Sequence, residues 1–475
     1  MYNLEKFKPG MYLLPQQENM RVPGLIIATE TLIKEEAIEK ALEQVKNVAC
    51  LPGIINYSIA MPDIHWGYGF PIGGVAAFDI NEGIISPGGV GYDINCGVRL
   101  ATISEKFSSL DDNTKEKLIN TIFRTVPSGV GHGHRGKTGL SDTDYKNIAQ
   151  KGIVWSVEKG FGFKEDIERC ENKGCLQGAD ISAVSSHAKE RGSKQVGTVG
   201  SGNHFIEIGE IEKIFEKDVA NQWGIEEGQI YIFIHSGSRG FGHQICQDTI
   251  NHFVKQGYAE NLPDRQLVAA PLKSDDAKKY ISAMNTAANF AFNNRQQILH
   301  YVRKAFTKVC NIPGEKIQTI YDVCHNIAKF EDHKINGKMT KVCVHRKGAT
   351  RAFGAGSDEL IALYRKTGQP VLVPGDMGRA SYLLVGQGNE LTWSSSCHGA
   401  GRAKSRIQSN KAWKGKNLKE HMSKQGVTIL ASSYRTIAEE MPDAYKDIDE
   451  VVKAVDEAEL AKMVARLKPH LVVKG

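Results

Sequence analysis

The sequence predicts a mixed α/β (α+β) fold: mixed β-sheets with surrounding helices in one large domain that covers residues 1–475. Glycine-rich blocks each adjoin an apolar β-like run, such as GQIYIFIH at 228–235 and QPVLVPG at 369–375. Helical periodicity dominates other segments, chiefly at about 245–312. There is no internal repeat and no Pro/Ser-rich linker, and residues with reactive side chains run from 63 to 474. These observations favour one domain over separable modules.

Four segments are predicted to be helical. LIKEEAIEKALEQVKNV, from residue 32, keeps apolar residues three and four positions apart and follows Thr31 as a candidate N-cap. DISAVSSHAKERG, from residue 180, ends at a glycine. The region at 245–312 is helical apart from the Pro-containing AENLPDRQLVAAPLKSDD. The last segment, 439–469, reads as a charged helical region, which a short apolar tail, HLVVKG, follows.

Composition indicates a soluble globular protein. Of the 475 residues, 41% are hydrophobic and 24% are charged, which argues against disorder. The net charge of +6 suits a polyanionic partner and also fits many unrelated enzymes. The nine cysteines include no CxxC pair, so neither a disulfide framework nor a zinc finger is expected. With no signal peptide or apolar membrane span in the sequence, we predict a cytoplasmic location and no membrane association.

Six glycine-rich blocks, which begin at residues 67, 86, 197, 235, 373 and 398, carry most of the histidine, cysteine, aspartate and asparagine residues. Glycine allows backbone N–H groups to approach a ligand closely. For any one block taken alone, a tight turn is the better explanation. Their shared composition favours a common site instead.

Several of these blocks offer metal-binding side chains. A thiolate, a carboxylate and three imidazoles at separate strand ends can build a transition-metal site, and a thiolate can bridge two ions of Mn, Zn or Fe. The candidates are Asp93, Cys96, Asn203, His204, Glu207, His235, His325 and Asn326. For each histidine taken alone, a structural or surface role is the better explanation, and the shared glycine-flanked setting is what favours a metal site for the group. Asp63 and His65 either orient a ligand or cap a turn.

His398 lies in SSSCHGAGRAKSR, on glycine-rich backbone. An imidazole there can attack an α-phosphate and form a phosphoramidate. VPGDMGRAS, from residue 373, offers a second cradle for phosphate oxygens and is not a Walker A loop. Basic residues near these loops either clamp phosphates or form solvated surface; they are Arg191, Arg239, Lys347, Arg351, Arg402 and Arg406.

The motifs, taken in order, resemble those of the RtcB-type RNA-splicing ligases. They are MPDIHWGYGFPIGG, GGVGYDINCGVR, GTVGSGNHFIEI, HSGSRGFGH, HNIAKFE, HRKGATRA, PGDMGRASYLL, HGAGR and the final VVKG. The resemblance covers residues from about 20 to 475 and implies an RtcB-like fold. It also implies a GTP- and Mn-dependent ligase that joins RNA 3′-phosphate or 2′,3′-cyclic phosphate ends to 5′-hydroxyl ends in tRNA splicing or RNA repair.

The resemblance further implies roles for individual residues. His398 matches the histidine that becomes guanylylated, through which an RNA(3′)pp(5′)G end forms. The ligands of two Mn ions match Asp93, Cys96, His204, His235 and His325, with the cysteine shared. The GTP-binding positions match Asn203, His204, Phe205, Ile206, Glu207, His325, Asn326, Pro374, Gly375, Asp376, Met377, Ser381, His398, Gly399, Ala400, Gly401, Tyr445 and Lys474. Tyr445 is expected against the guanine, whose N–H donors Glu207 would accept. The partner implied is RNA, such as tRNA halves or other broken RNA; whether an archease-type activator is also required stays open.

One residue departs from the family pattern. Asp376 occupies a position where many members have serine, and Arg379 is expected to offset its charge. Two other functions are consistent with the residues. A dinuclear-metal RNA-end phosphoesterase would need neither His398 nor GTP. An RNA-binding chaperone with a structural metal would keep every activity when His398 is replaced.

Overall fold

The structure is a computed structural model that describes residues 2–129, 133 and 139–475. Its strands, in chain order, are β1 (Glu5–Lys8), β2 (Met11–Leu14), β3 (Gly24–Ile27), β4 (Ile54–His65), β5 (Ile72–Asp79), β6 (Ile84–Ile85), β7 (Gly97–Lys106), β8 (Phe205–Ile214), β9 (Gln229–Ser236), β10 (Ala270–Pro271), β11 (Gln318–Cys324), β12 (Asn326–Ile335), β13 (Lys338–Lys347), β14 (Ala349–Arg351), β15 (Pro370–Val373), β16 (Ser381–Gly386), β17 (Ser395–Cys397), β18 (Thr428–Ala431) and β19 (Ala461–Lys474).

The α-helices lie between and around these strands. They are α1 (Glu36–Val48), α2 (Pro87–Val90), α3 (Asp112–Thr125), α4 (Asp142–Lys151), α5 (Ile153–Glu158), α6 (Lys164–Glu168), α7 (Ser186–Gly192), α8 (Lys217–Trp223), α9 (Arg239–Lys255), α10 (Asp275–Cys310), α11 (Ala362–Arg365), α12 (Arg406–Trp413), α13 (Leu418–Ser423), α14 (Tyr434–Glu439) and α15 (Ile448–Glu457). None of the helices in the described part of the chain is long and apolar enough to cross a membrane.

Two large sheets dominate the fold. One has seven strands in the order β1-β2-β3-β4-β5-β13-β12. The other has the order β11-β7-β9-β8-β19-β16-β15, with β18 also paired to β19. Two small pairs, β6 with β10 and β14 with β17, complete the sheets of the described residues. Mixed sheets surrounded by helices confirm the predicted fold class.

Helices cover the sheets with the apolar stripes that the sequence periodicity indicates. Ile38, Leu42 and Val45 of α1 are buried in the same apolar cluster as β4 and β5. The long helix α10 contributes Phe290 to one core cluster and Ile298 to another. Each large apolar side chain that is fully buried stabilises the fold by about 1.5–3 kcal/mol.

The starts of two predicted helices differ from the structure. Thr31 precedes only a short 3₁₀ turn, Leu32–Lys34, and its side chain makes no capping hydrogen bond. The α-helix itself begins at Glu36. In the second case α7 begins at Ser186, where the Ser185 hydroxyl accepts a hydrogen bond from the backbone of Ala188. A side chain that satisfies a free backbone N–H fixes the start of a helix, and that pairing could not be read from periodicity.

The prediction of helix up to residue 469 is wrong for its second half. Helix α15 ends at Glu457, and Ala461–Lys474 forms β19 between β8 and β16. Pairing on both sides of β19 buries Val464 and Leu467, and this packing outweighs the helix preference of the segment. As a result, Lys474 lies at the C-terminal end of β19, next to the start of β8.

Candidate active site

Strand ends converge at one edge of the large sheet that contains β19. Antiparallel pairing places Cys324, at the end of β11, next to Gly97, at the start of β7. Gly97 also pairs with Ser236 at the end of β9. Farther along the same edge, Phe205 at the start of β8 pairs with Lys474 at the end of β19. Residues just beyond these ends line a cavity of about 840 Å³.

The five predicted metal ligands meet in this cavity. Cys96 Sγ lies 3.2 Å from His204 Nε2 and 3.3 Å from His235 Nε2. His235 Nε2 lies 3.3 Å from His325 Nε2, and Asp93 Oδ2 lies 3.0 Å from His204 Nε2. One sulfur, three imidazoles and one carboxylate are the donor set that suits Mn, Zn or Fe.

The charge states of these groups also suit a cation. Burial lowers the pKa of both His235 and His325, which therefore stay neutral and keep a lone pair for a ligand. Burial raises the pKa of the Cys96 thiol, and the neighbouring Asp93 raises it further. A bound divalent ion would release the proton of such a thiol, because coordination strongly favours thiolate.

The orientation of His204 is fixed from behind. Its Nδ1 lies 3.1 Å from the carbonyl oxygen of Val199, and this contact presents Nε2 to Cys96 and Asp93. Burial alone would raise the pKa of Asp93, but contact with His204 outweighs it and lowers that pKa. The carboxylate is therefore ionised beside the imidazole.

His398 follows β17 and lies beside the cluster. Its ring centroid is 4.7 Å from that of His325. Its Nδ1 lies 2.5 Å from Asp63 Oδ2, and its backbone N–H donates to the same oxygen over 3.1 Å. Asp63 is fully buried. The carboxylate therefore occupies the Nδ1 side and leaves Nε2 as the nitrogen available for attack. The sequence predicts that Asp63 either orients a ligand or caps a turn, and neither prediction includes the contact with His398.

A buried carboxylate, Glu207 of β8, lines the cavity and is held by hydrogen bonds from β9 and β16. Its Oε1 accepts hydrogen bonds from Tyr231 over 2.7 Å and from Ser381 over 3.3 Å. Burial raises the pKa of Glu207 to about 7, although both hydroxyls favour the ionised form. A ligand that offers further N–H donors would stabilise the carboxylate.

A second buried carboxylate, Glu440, joins several predicted nucleotide contacts. Lys474 Nζ lies 3.3 Å from it, Arg402 Nη1 lies 3.1 Å from it, and the Tyr445 hydroxyl donates to it. Burial opposes ionisation, but Lys474 and Arg402 outweigh it and lower the pKa of Glu440. The guanidinium of Arg402 also lies 5.3 Å from the Tyr445 ring centroid. No motif or spacing in the sequence pointed to Glu440.

Comparison with known proteins assigns this site to a family. The sequence model of one protein family, described as tRNA-splicing ligase RtcB, matches residues 44–475. The chain belongs to the RtcB family. It is 47% identical to the tRNA-splicing ligase RtcB of Thermococcus kodakarensis over 96% of both chains. It is 46% identical to that of Archaeoglobus fulgidus, over 99% of this chain and 96% of the relative. It is 44% identical to the RNA-splicing ligase RtcB of Mycobacterium bovis, over 91% of this chain and 100% of the relative.

Membership of the RtcB family confirms the resemblance and makes the protein an enzyme of the RNA ligase class. Most of the predicted nucleotide positions line the cavity. They are Asn203, His204, Phe205, Glu207, His325, Asn326, Pro374, Gly375, Asp376, Met377, His398, Gly399, Ala400, Gly401, Tyr445 and Lys474. Ile206 instead packs into an apolar cluster with β9 and α10. Ser381 lies outside the cavity lining and donates a hydrogen bond to Glu207. That these residues bind GTP stays a prediction.

The side chain of Asp376, which departs from the family pattern, has a charge partner in this chain. Asp376 Oδ2 lies 2.7 Å from Arg379 Nε. Its Oδ1 accepts hydrogen bonds from the backbone of Gly378 and Arg379, each over 2.9 Å. Burial still raises the pKa of Asp376, because Arg379 compensates only in part. Arg379 therefore offsets the added carboxylate, as the sequence predicts.

Five of the six predicted phosphate clamps line the RtcB cavity: Arg191, Arg239, Lys347, Arg402 and Arg406. The sixth, Arg351, is wrong as a clamp, because its Nε lies 2.7 Å from Glu331 in a buried ion pair beneath the site. Arg239 packs against Gly200, where a Cβ would lie 2.0 Å from the guanidinium. Its Nε has no hydrogen-bond partner among the described residues. A buried guanidinium with a free donor suits an anion.

Proposed function

We propose that this RNA ligase joins an RNA 3′-phosphate or 2′,3′-cyclic phosphate end to a 5′-hydroxyl end, with GTP and Mn²⁺, through a guanylylated His398. One observation carries the proposal: the Nδ1 of His398 faces Asp63, and its ring lies 4.7 Å from that of His325 in the Cys/His cluster. A nucleophilic nitrogen thus lies beside a donor set built for a transition metal.

Five residues would hold the two ions that the family resemblance implies. They are Asp93, Cys96, His204, His235 and His325. Three donor atoms, from Cys96, His204 and His235, already lie within 4.8 Å of one another. When bound, Mn²⁺ would supply Lewis-acid stabilisation of negative charge on phosphoryl oxygens. The carbonyl oxygen of Val199 supplies the orientation of His204, the one ligand histidine of the described residues whose Nδ1 contact is established.

His398 carries the covalent chemistry of the proposal. Its Nε2 lone pair attacks the α-phosphorus of GTP, an N–P bond forms, the bond to the β-phosphate oxygen breaks, and pyrophosphate leaves. The carboxylate of Asp63, 2.5 Å from Nδ1, stabilises the positive charge that the ring gains. A cyclic RNA end is first hydrolysed to a 3′-phosphate. An oxygen of that phosphate then takes the GMP and restores His398, which gives RNA(3′)pp(5′)G, and the 5′-hydroxyl finally displaces GMP.

Guanine would be recognised by Glu207. The carboxylate can accept from N1–H and the 2-amino group of guanine, a donor pattern that adenine does not present. Tyr231 and Ser381 hold the acceptor in place through their hydroxyls. Tyr445 would lie against the base, and Lys474 at its edge. The other predicted nucleotide positions, apart from Ile206, surround the same space.

RNA phosphates would be received by the basic residues of the cavity. Arg191 and Arg406 offer guanidinium groups for bidentate contacts, and Arg239 offers a buried one. Backbone contacts of this kind position RNA without reading its sequence. The biological targets, tRNA halves or other broken RNA, an archease-type activator and a cytoplasmic location stay predictions from the sequence.

The test is a ligation assay with two RNA oligonucleotides, one with a 2′,3′-cyclic phosphate and one with a 5′-hydroxyl. Wild-type protein with GTP and Mn²⁺ is expected to give the joined product, and His398→Ala is expected to give none. Conversion of the cyclic end to a 3′-phosphate by wild-type protein without joining would favour the phosphoesterase instead. Ligation by the His398→Ala variant would contradict the proposal.

A further inference from the structure

Lys446 lies buried directly behind Asp63, outside the lining of the cavity. Its side chain is fully buried. The ammonium donates hydrogen bonds to the carbonyl oxygens of Pro62, over 3.1 Å, and Ile64, over 2.8 Å. These are the carbonyls of the two residues that flank Asp63. One cation therefore holds the backbone on both sides of the carboxylate that contacts His398.

The ammonium has only a loose ion pair. The nearest oxygen of a carboxylate is Glu35 Oε2, at 3.8 Å. Burial lowers the pKa of Lys446 to about 8, while Glu35 and Asp63 favour the charged form. A cation buried against carbonyl oxygens is costly unless each donor is used. The hydrogen bonds from Lys446 to the two carbonyl oxygens therefore indicate that Lys446 positions the backbone on both sides of Asp63.

A second link connects Lys446 to the loop that carries His398. The backbone N–H of Lys446 donates to the carbonyl oxygen of Gly401 over 3.0 Å. Gly401 has a φ of +73°, and a Cβ there would lie 2.2 Å from the carbonyl oxygen of Asp63. The loop after His398 thus rests directly on the Asp63 backbone. Lys446 holds both through separate atoms.

We propose that Lys446 is a positioning residue for the reaction: it fixes the backbone around Asp63 so that one carboxylate oxygen meets both the backbone N–H and the Nδ1 of His398. It thereby sets the direction of the attacking Nε2. The inference rests on the proposed guanylylation of His398 and deepens it. Lys446 acts through Asp63 and does not contact the substrate.

The first experiment measures single-turnover guanylylation of Lys446→Met in the full chain with α-labelled GTP and Mn²⁺. We expect the rate constant to fall about 10–100-fold, because small misplacements of a nucleophile cost this much. The GTP concentration for half-maximal rate is expected to stay within about twofold, since the nucleotide contacts remain. The control is Lys453→Met, at an exposed lysine of α15. An unchanged rate, or a parallel loss of rate, GTP affinity and thermal stability, would overturn the proposal.

A double-mutant cycle with Asp63→Asn tests the route of the effect. If Lys446 acts through Asp63, the double variant is expected to be no slower than Asp63→Asn alone. Multiplication of the two losses would overturn the proposal. Lys446→Arg, which keeps a cation and N–H donors, is expected to recover part of the rate. If Lys446→Met does not fold, Lys446→Arg replaces it in the double-mutant cycle. An equal loss in a folded Lys446→Arg variant would count against the proposal. If wild-type protein takes no label, the proposed function fails instead.

Discussion

The buried carboxyl of Glu207 gives the sharpest quantitative prediction from the structure. Both hydroxyl donors, Tyr231 and Ser381, reach the same oxygen, Oε1. In Glu207→Gln the amide oxygen can accept the same two hydrogen bonds, so the substitution removes the titration and keeps the packing. The variant therefore isolates the cost of ionising this carboxyl inside the protein.

The magnitude follows from the pKa of Glu207, which burial raises from an ordinary value of 4.5 to about 7. Between these pH values the unfolded chain releases the proton and the folded protein retains it. The stabilising contribution is complete below pH 4.5 and is lost as pH rises through about 7. At about 1.4 kcal/mol per pH unit, the stability of the wild type relative to Glu207→Gln falls by about 2–3 kcal/mol between pH 5 and pH 8.5.

The assay is urea unfolding followed by tryptophan fluorescence at pH 5 and pH 8.5, after reversibility has been checked. Glu207→Gln is expected to gain stability relative to the wild type as pH rises. Glu116→Gln, at an exposed position of α3, controls for the loss of a surface carboxylate. A difference between wild type and Glu207→Gln that does not change with pH, or that changes in the opposite direction, would refute the reasoning.

Three further predictions concern other parts of the site. Cys96→Ser is expected to weaken Mn²⁺ binding at least about tenfold in calorimetry, because a hydroxyl is a poorer ligand than a thiolate; Cys310→Ser, outside the cavity lining, should bind as the wild type does. Arg239→Gln is expected to lower the slope of log affinity for single-stranded RNA against log salt by about 0.7; an unchanged slope in a KCl series would exclude a phosphate contact. Arg379→Met, which removes the half-exposed partner of a buried carboxyl, is expected to reduce the unfolding free energy by about 1–2 kcal/mol in urea at pH 8; a second change, Asp376→Ser, should restore it, and no recovery would contradict the pairing.

Much of the site could be predicted because its residues lie at strand ends that the sequence marks with glycine. His204 precedes β8 and His325 follows β11, so antiparallel pairing brings them to one edge. The motif order therefore sufficed to group the candidate ligands. Arg351 also follows a glycine in its motif, yet it lies in β14 and its side chain pairs with the buried Glu331. The direction in which such a side chain points depends on strand pairing and not on the residue's position in a motif.

Other features depend on contacts between distant parts of the chain. Glu440 and Lys446 lie in a charged segment that reads as solvent-exposed helix, yet both are buried. Their partners, such as Lys474 and Pro62, are far away in sequence. The last strand shows the same limit, because pairing with β8, β16 and β18 makes β19 more favourable than a continued helix.

The most direct test of the central claim is to map the site of guanylylation. Wild-type protein is incubated with Mn²⁺ and GTP labelled at the α-phosphate, with ATP in a parallel sample, and the labelled peptide is identified by mass spectrometry under alkaline conditions. We predict an acid-labile GMP adduct on His398, formed from GTP and not from ATP. A label on another residue, or no label under conditions in which RNA is joined, would contradict the account.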